Sequence, residues 1–228
     1  MKYPVFPCGD CALSIQIGNE ISEAVNREVV AVLSCVQREN IPGVLELVPS
    51  YTCICIHYDP AVIDYDGLMA RLRKLEVQTE QFAEGSSRVV EIPVCYGGEY
   101  GPDLAYVAEY HHISEEEVIR RHSSGDYLVY MLGFLPGFAY MGGMDESIAT
   151  PRLTSPRAKI PAGSVGIAGS QTGVYPLASP GGWQLIGRTP VKMFRMEGET
   201  AVFTLQAGDR VRFVPISQEE YRRMEEAQ

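Results

Sequence analysis

Within the 58 residues from Gly133 to Pro190 fall 11 of the 22 glycines, 7 of the 15 prolines and the only tryptophan, Trp183. Glycine permits positive φ and close backbone approach, and proline locks φ. A stretch written this way excludes long helices and sets the course of loops and short strands. It reads as a loop system that presents something.

The same stretch is a basic island. Asp145 and Glu146 stand against Arg152, Arg157, Lys159 and Arg188, in a chain whose formal net charge is -10. Guanidinium groups bind carboxylate or phosphate through paired hydrogen bonds, so Arg152, Arg157 and Arg188 are candidate anion ligands. The bland alternative is that they tie loops to carbonyls or to partner acids. The acidic balance of the whole chain argues against nucleic-acid and anionic-membrane partners. No apolar run approaches the ~20 residues of a membrane span, and the opening MKYPVFPCGD lacks the apolar core of a signal peptide. A cytoplasmic protein is expected.

Six cysteines point to neither disulfides nor metal. Cys8 and Cys11 form a lone C-x-x-C without a second pair, so no metal site is expected. Cys53 and Cys55 lie two apart, on one face of an apolar strand, where a thiol acts as a small hydrophobe.

In chain order, Ala12 to Gly18 reads as a strand. Ile21, Val25, Val29, Val32, Leu33 and Val36 follow helical spacing up to Asn40, giving an amphipathic helix. Val44 to Val48 and Tyr51 to Tyr58 read as a hairpin, and a second helix is predicted from Tyr65 to Phe82. Val89 to Tyr96 is the next strand, assignable to either side of a joint at Glu84 to Ser87. The order matches the split βαβ of a ferredoxin-like layer, so domains of residues 1–86 and 87–228 are expected. Beyond the joint come a helix from Asp103 to about His111, a short helix capped by Ser114 and ending near His122, and a strand from Asp126 to Leu132. After Pro190 follow three short strands and a charged, fraying terminal helix. Many short strands joined by Gly/Pro loops indicate a barrel or sandwich.

No standard catalytic signature occurs. Gly163, Gly166, Gly169 and Gly173 match neither G-x-G-x-x-G nor a P-loop, and Ser164, Ser170 and Ser179 read as turn residues. His122, at a helix end, could be a proton shuttle or a structural cap. Gln171, Thr172 and Tyr175 follow the glycine run and could hydrogen-bond a small polar ligand. Trp183 could wall a pocket or fill a core.

Four segments carry a resemblance: YGGEYGPDL at Tyr96 to Leu104, EEVIRRHS at Glu116 to Ser123, YMLGFLPGFAYMGG at Tyr130 to Gly143, and the run from Pro151 to Pro190. They resemble the family that includes the B subunit of bacterial 5-oxoprolinase, the first subunit of allophanate hydrolase and a Kip-type inhibitor of a sporulation histidine kinase. The resemblance implies an α+β protein, with an N-terminal ferredoxin-like α/β sandwich followed by a C-terminal cyclophilin-like β-barrel. PGFAYMGG is similar to a cyclophilin segment, but Gly133 and Met141 replace its catalytic arginine and glutamine, which argues against prolyl isomerase activity.

What the family implies for activity is the B subunit of a heteromeric enzyme. With C and A subunits it opens 5-oxo-L-proline, a lactam, to L-glutamate while hydrolysing ATP, as Mg-ATP, at a site that subunits could share. On that expectation His122 is catalytic. Arg152, Arg157, Arg188, Gln171, Thr172 and Tyr175 bind substrate or phosphate. Pro136, Gly137, Phe138, Tyr140, Gly166, Gly169 and Trp183 shape the pocket. The alternatives are inhibition of a histidine kinase and amide hydrolysis of the allophanate type.

Overall fold

The computed structural model describes residues 2–75 and 88–227. The chain divides into two compact units, residues 1–86 and 87–228. The end of the second predicted helix and the joint at residues 84–87 lie outside the described residues.

In the first unit, β1 (Val5–Pro7), β2 (Ala12–Gln16), β3 (Val44–Pro49) and β4 (Cys53–Tyr58) form an antiparallel sheet in the order β1-β2-β4-β3. Helix α1 (Glu23–Glu39) starts where the Ser22 side chain accepts a hydrogen bond from the Val25 amide, and it stops at Asn40 in the left-handed region, φ 43°. Helix α2 (Tyr65–Arg73) is capped in the same way by Asp64. Alternation sorts the strands: Ile54, Ile56 and Tyr58 are buried, whereas Cys53, Cys55 and His57 take the opposite face. The buried set packs with Val29, Val32 and Val36 of α1 and Leu68 and Leu72 of α2. None of the six cysteines, all among the described residues, is in a disulfide.

The edge beside β2 is taken by β1, paired Val5 to Ile15. A split βαβ layer would draw its fourth strand from the far end of the unit. Here β5 (Val89–Tyr96) lies instead in the barrel of the second unit.

That barrel closes seven strands in the order β10-β7-β6-β15-β5-β12-β9. They are β5, β6 (Tyr127–Leu132), β7 (Ala139–Gly142), β9 (Ser164–Ala168), β10 (Gln171–Val174), β12 (Gln184–Arg188) and β15 (Arg210–Pro215). β5 and β15 run parallel, Val89 beside Arg210, and the other pairings are antiparallel. Two ribbons stand apart: β8 (Arg157–Ile160) with β11 (Ser179–Gly181), and β13 (Phe194–Glu197) with β14 (Thr200–Phe203). Helices α3 (Leu104–Tyr110) and α4 (Glu115–Ser123) send Leu104, Val107 and Val118 into the barrel core.

Helix α5 (Gln218–Glu226) opens with a full capping box between Ser217 and Glu220. Tyr221 anchors it: the residue is 3% exposed and its ring lies 4.5 Å from that of Tyr100. The helix read as charged and terminal thus carries one buried aromatic that packs it on the barrel.

The two faces of β9 and β10 serve different cores. Val165, Ile167 and Val174 join the barrel core. Ala168 and Tyr175 join a second cluster with Phe138, Ile160, Trp183 and Leu185. Gly166 and Gly173, paired across the strands, lie beneath that cluster. A Cβ on Gly173 would stand 3.0 Å from Phe138 Cζ and 3.2 Å from Trp183 Cζ3, and one on Gly166 would stand 3.1 Å from Trp183 Cβ. The glycines are there so that large rings can lie against the strands.

Candidate functional site

Those rings wall a pocket of about 320 Å³. Phe134, Phe138, Tyr140, Tyr175 and Trp183 supply aromatic surface, Pro156, Pro180, Gly181 and Gly182 close one side, and Arg152 brings charge. Phe138 is the hub. Its ring centroid lies 4.9 Å from Tyr140 and 5.6 Å from each of Phe134, Tyr175 and Trp183, all at steep angles. Edge-to-face packing favours such an arrangement and fixes the shape of the cavity.

The polar groups of the pocket are few. Arg152 holds its guanidinium carbon 5.9 Å from the Trp183 ring centroid, a cation–π contact. Among the described residues it forms no ion pair with a carboxylate. Burial pushes the Tyr175 phenol up to about 12, with Arg152 pulling the other way, and burial raises Tyr140 against the same opposing charge. Both hydroxyls are therefore protonated near neutrality. A guanidinium and two phenols can donate hydrogen bonds to an anion, but they offer no general acid/base pair.

The three arginines expected to act together are separated. Arg157 donates to Asp103 Oδ1 at 2.6 Å and to the Trp183 carbonyl at 3.2 Å, while Asp103 Oδ2 accepts from the Leu185 amide at 2.6 Å. Arg157 is thus the keystone of a loop network. Arg188 turns towards Tyr100, 5.7 Å away, and its buried Nε has no hydrogen-bond partner among the described residues. Only Arg152 of the three lines the pocket.

His122 requires a correction. Its ring is fully buried and stacks on Phe213 at 4.6 Å. Thr172 Oγ1 donates to the Gly166 carbonyl at 3.0 Å, so it accepts from His122 Nε2 at 2.8 Å, and Nδ1 is left to accept from the Tyr96 hydroxyl, also at 2.8 Å. Burial lowers its pKa to about 3. The helix end that should favour imidazolium is overridden by desolvation, and a neutral ring with both nitrogens engaged is not placed to shuttle protons. Thr172 is spent in the same network, and Gln171 is not among the pocket walls.

Pro136 and Gly137 line a shallower neighbouring pocket of about 330 Å³ with Phe134 and Phe203. Gly169 makes the turn between β9 and β10 at φ 58° and bridges to Thr150. Phe138, Tyr140 and Trp183, read as pocket-shaping, and Arg152 and Tyr175, read as ligand-binding, stand among the walls of the aromatic pocket, and Gly166 supports Trp183 from below. Sequence reasoning missed Phe134, Pro156, Pro180, Gly181 and Gly182. Their signal was adjacency, since Phe134 stands in the GFLPGF run and the others flank Arg157 and Trp183.

Residues 3–204 match the family described as carboxyltransferase domain, subdomain C and D. The chain belongs to that family. Among relatives of this carboxyltransferase-domain chain, the 5-oxoprolinase B subunit of Bacillus subtilis (strain 168) is 46% identical, covering 99% of this chain and 98% of its own length. The protein of the same name from Escherichia coli O157:H7 is 47% identical over 77% of this chain and 80% of its own. Among solved structures, the conserved uncharacterized protein PH0987 from Pyrococcus horikoshii is 46% identical, with a TM-score of 0.57, covering 96% of this chain and all of that one. TTHA0988 superposes with a TM-score of 0.78 at 38% identity, but the match takes in 90% of this chain and only 39% of that longer one. Urea amidolyase of K. lactis, at 20% identity and a TM-score of 0.78, shares the fold.

Proposed function

We propose that this carboxyltransferase-domain chain is the B subunit of a heteromeric, ATP-dependent 5-oxoprolinase, which opens 5-oxo-L-proline to L-glutamate. The observation that carries the reading is end-to-end likeness to the Bacillus subtilis B subunit, 46% over 99% of this chain. The geometry supports it with a small, aromatic-walled pocket holding a single cation, the kind of site a ring-shaped monocarboxylate fits. The absence of an acid/base pair among the pocket walls supports a chain that is active only with partners, here C and A subunits. On this reading the first unit is a ferredoxin-like layer whose edge strand is supplied by β1, the barrel is cyclophilin-like, and the protein works in the cytoplasm.

ATP is the co-substrate of this reaction. A triphosphate needs several cations or a phosphate-cradling loop, and the pocket has one guanidinium. The residues of the pocket do not fit it.

The test is release of glutamate and ADP from 5-oxoproline and ATP by this chain alone and by mixtures with A and C subunits. Activity confined to the full mixture is expected. No release by any folded, associated combination would turn the reading to histidine-kinase inhibition or to an allophanate-type amide.

A further inference from the structure

We infer that the aromatic pocket is the carboxylate-anchoring site for the lactam, with Arg152 as the anchor, and that the nucleotide is held outside this pocket. The inference rests on the 5-oxoprolinase reading and divides its labour.

The walls argue for a ring. Phe138, Tyr175 and Trp183 meet at angles of 75° to 90° and bound the cavity with rigid aromatic surface. A five-membered lactam presents two faces to such a surface. Its one negative charge needs one partner, and Arg152 is the one cation among the walls. The lactam's remaining polar atoms need neutral hydrogen-bonding groups, and the walls include the phenols of Tyr140 and Tyr175.

The same inventory disfavours the other participants. Glutamate carries a second carboxylate and an ammonium, and the walls hold no second cation and no carboxylate for them; burying unpaired charge is costly. The opened product is therefore released where the ring was held. A triphosphate carries more charge still. Arg157 is committed to Asp103, and Arg188 lies against Tyr100, so neither stands with Arg152 among the walls.

Trp183 is the chain's only tryptophan and it stands in the pocket wall, so its fluorescence reports occupancy directly. Titration of the purified chain with 5-oxo-L-proline should give a saturable change. The ring without the carboxylate, 2-pyrrolidinone, should bind about tenfold or more weakly, as should 5-oxo-L-proline to Arg152→Ala, the scale of one charge-assisted hydrogen bond. Arg152→Lys should recover part of the loss. ATP, with excitation beyond the adenine band, should give no saturable change.

In the complete assembly, Arg152→Ala should raise the KM for 5-oxoproline about tenfold or more and leave the KM for ATP within about twofold. Saturation of the Trp183 signal by ATP overturns the inference. So does a lactam KM unchanged in an Arg152→Ala assembly that still turns over, a result that leaves the 5-oxoprolinase reading standing. Wild-type subunits that are folded and associated yet release no glutamate overturn that reading and the inference with it.

Discussion

His122 Nε2 lies 2.8 Å from Thr172 Oγ1, and through this bond α4 is fastened to the barrel wall at β10. The hydroxyl donates its own hydrogen bond to the Gly166 carbonyl, so Nε2 carries the proton, and burial keeps the ring neutral. An unfolded chain takes up a proton here near pH 6.5, which the folded protein refuses until about pH 3. Between those values the unfolded state binds more protons, so stability rises with pH. The contribution is complete above about pH 6.5 and is lost as pH falls towards 3. Urea unfolding of wild type and His122→Gln from pH 6.5 to 4 should show wild type losing up to about 1.4 kcal/mol more per pH unit. Parallel pH profiles would sink the assignment.

Asp103 and Arg157 form a pair that serves the loops. The carboxylate also receives the Leu185 amide, and the guanidinium also holds the Trp183 carbonyl. Either alanine substitution strands a partly buried charge, at a cost of about 2–4 kcal/mol. The double variant should cost less than the sum, because each single change removes the same interaction. If the two costs add, measured by denaturant unfolding, the pair is not coupled and Arg157 becomes available to a ligand.

Legibility in the sequence followed the range of the interactions. Local signals were readable: the helical spacing from Val25 to Val36, the cap at Ser114 and the alternation of Cys53 to Tyr58 all have counterparts in the structure. Long-range partners were not. Arg157 looked like one of three clustered cations because its partner, Asp103, is 54 positions away. His122 looked titratable because nothing near it in the chain announces that Phe213 will cover its ring. The edge strand β1 was missed because its three residues, following Pro4 and ending in Pro7, are too few for an alternating pattern. The glycine run was informative for a reason different from ligand approach, since Gly166 and Gly173 make room for rings.

Gly173 is the sharpest test of that last point. A valine there adds branched bulk where even Cβ would lie 3.0 Å from Phe138 Cζ and 3.2 Å from Trp183 Cζ3. Overpacking of this kind costs about 1–3 kcal/mol. It should also move Trp183, shifting its emission and weakening any ligand that the pocket holds. A Gly173→Val protein with unchanged stability and emission would show that the rings do not rest on this strand pair.

Tyr221 closes the second unit over a thiol. It clusters with Tyr100 and Cys95, the latter 2% exposed with its thiol pushed up chiefly by burial. The capping box of α5 is a local feature worth about 1 kcal/mol, too little to hold nine residues against the barrel without the aromatic. Tyr221→Ala should therefore cost about 2–4 kcal/mol and, in the still-folded protein, free the helix end. Alkylation mapped by mass spectrometry should then find Cys95 modified about tenfold or more faster, because local opening sets the access of a buried group. Cys8 and Cys11, already exposed, give the internal reference, since their rates should not change. If Cys95 stays as protected as in wild type while stability falls, α5 is held by contacts other than Tyr221.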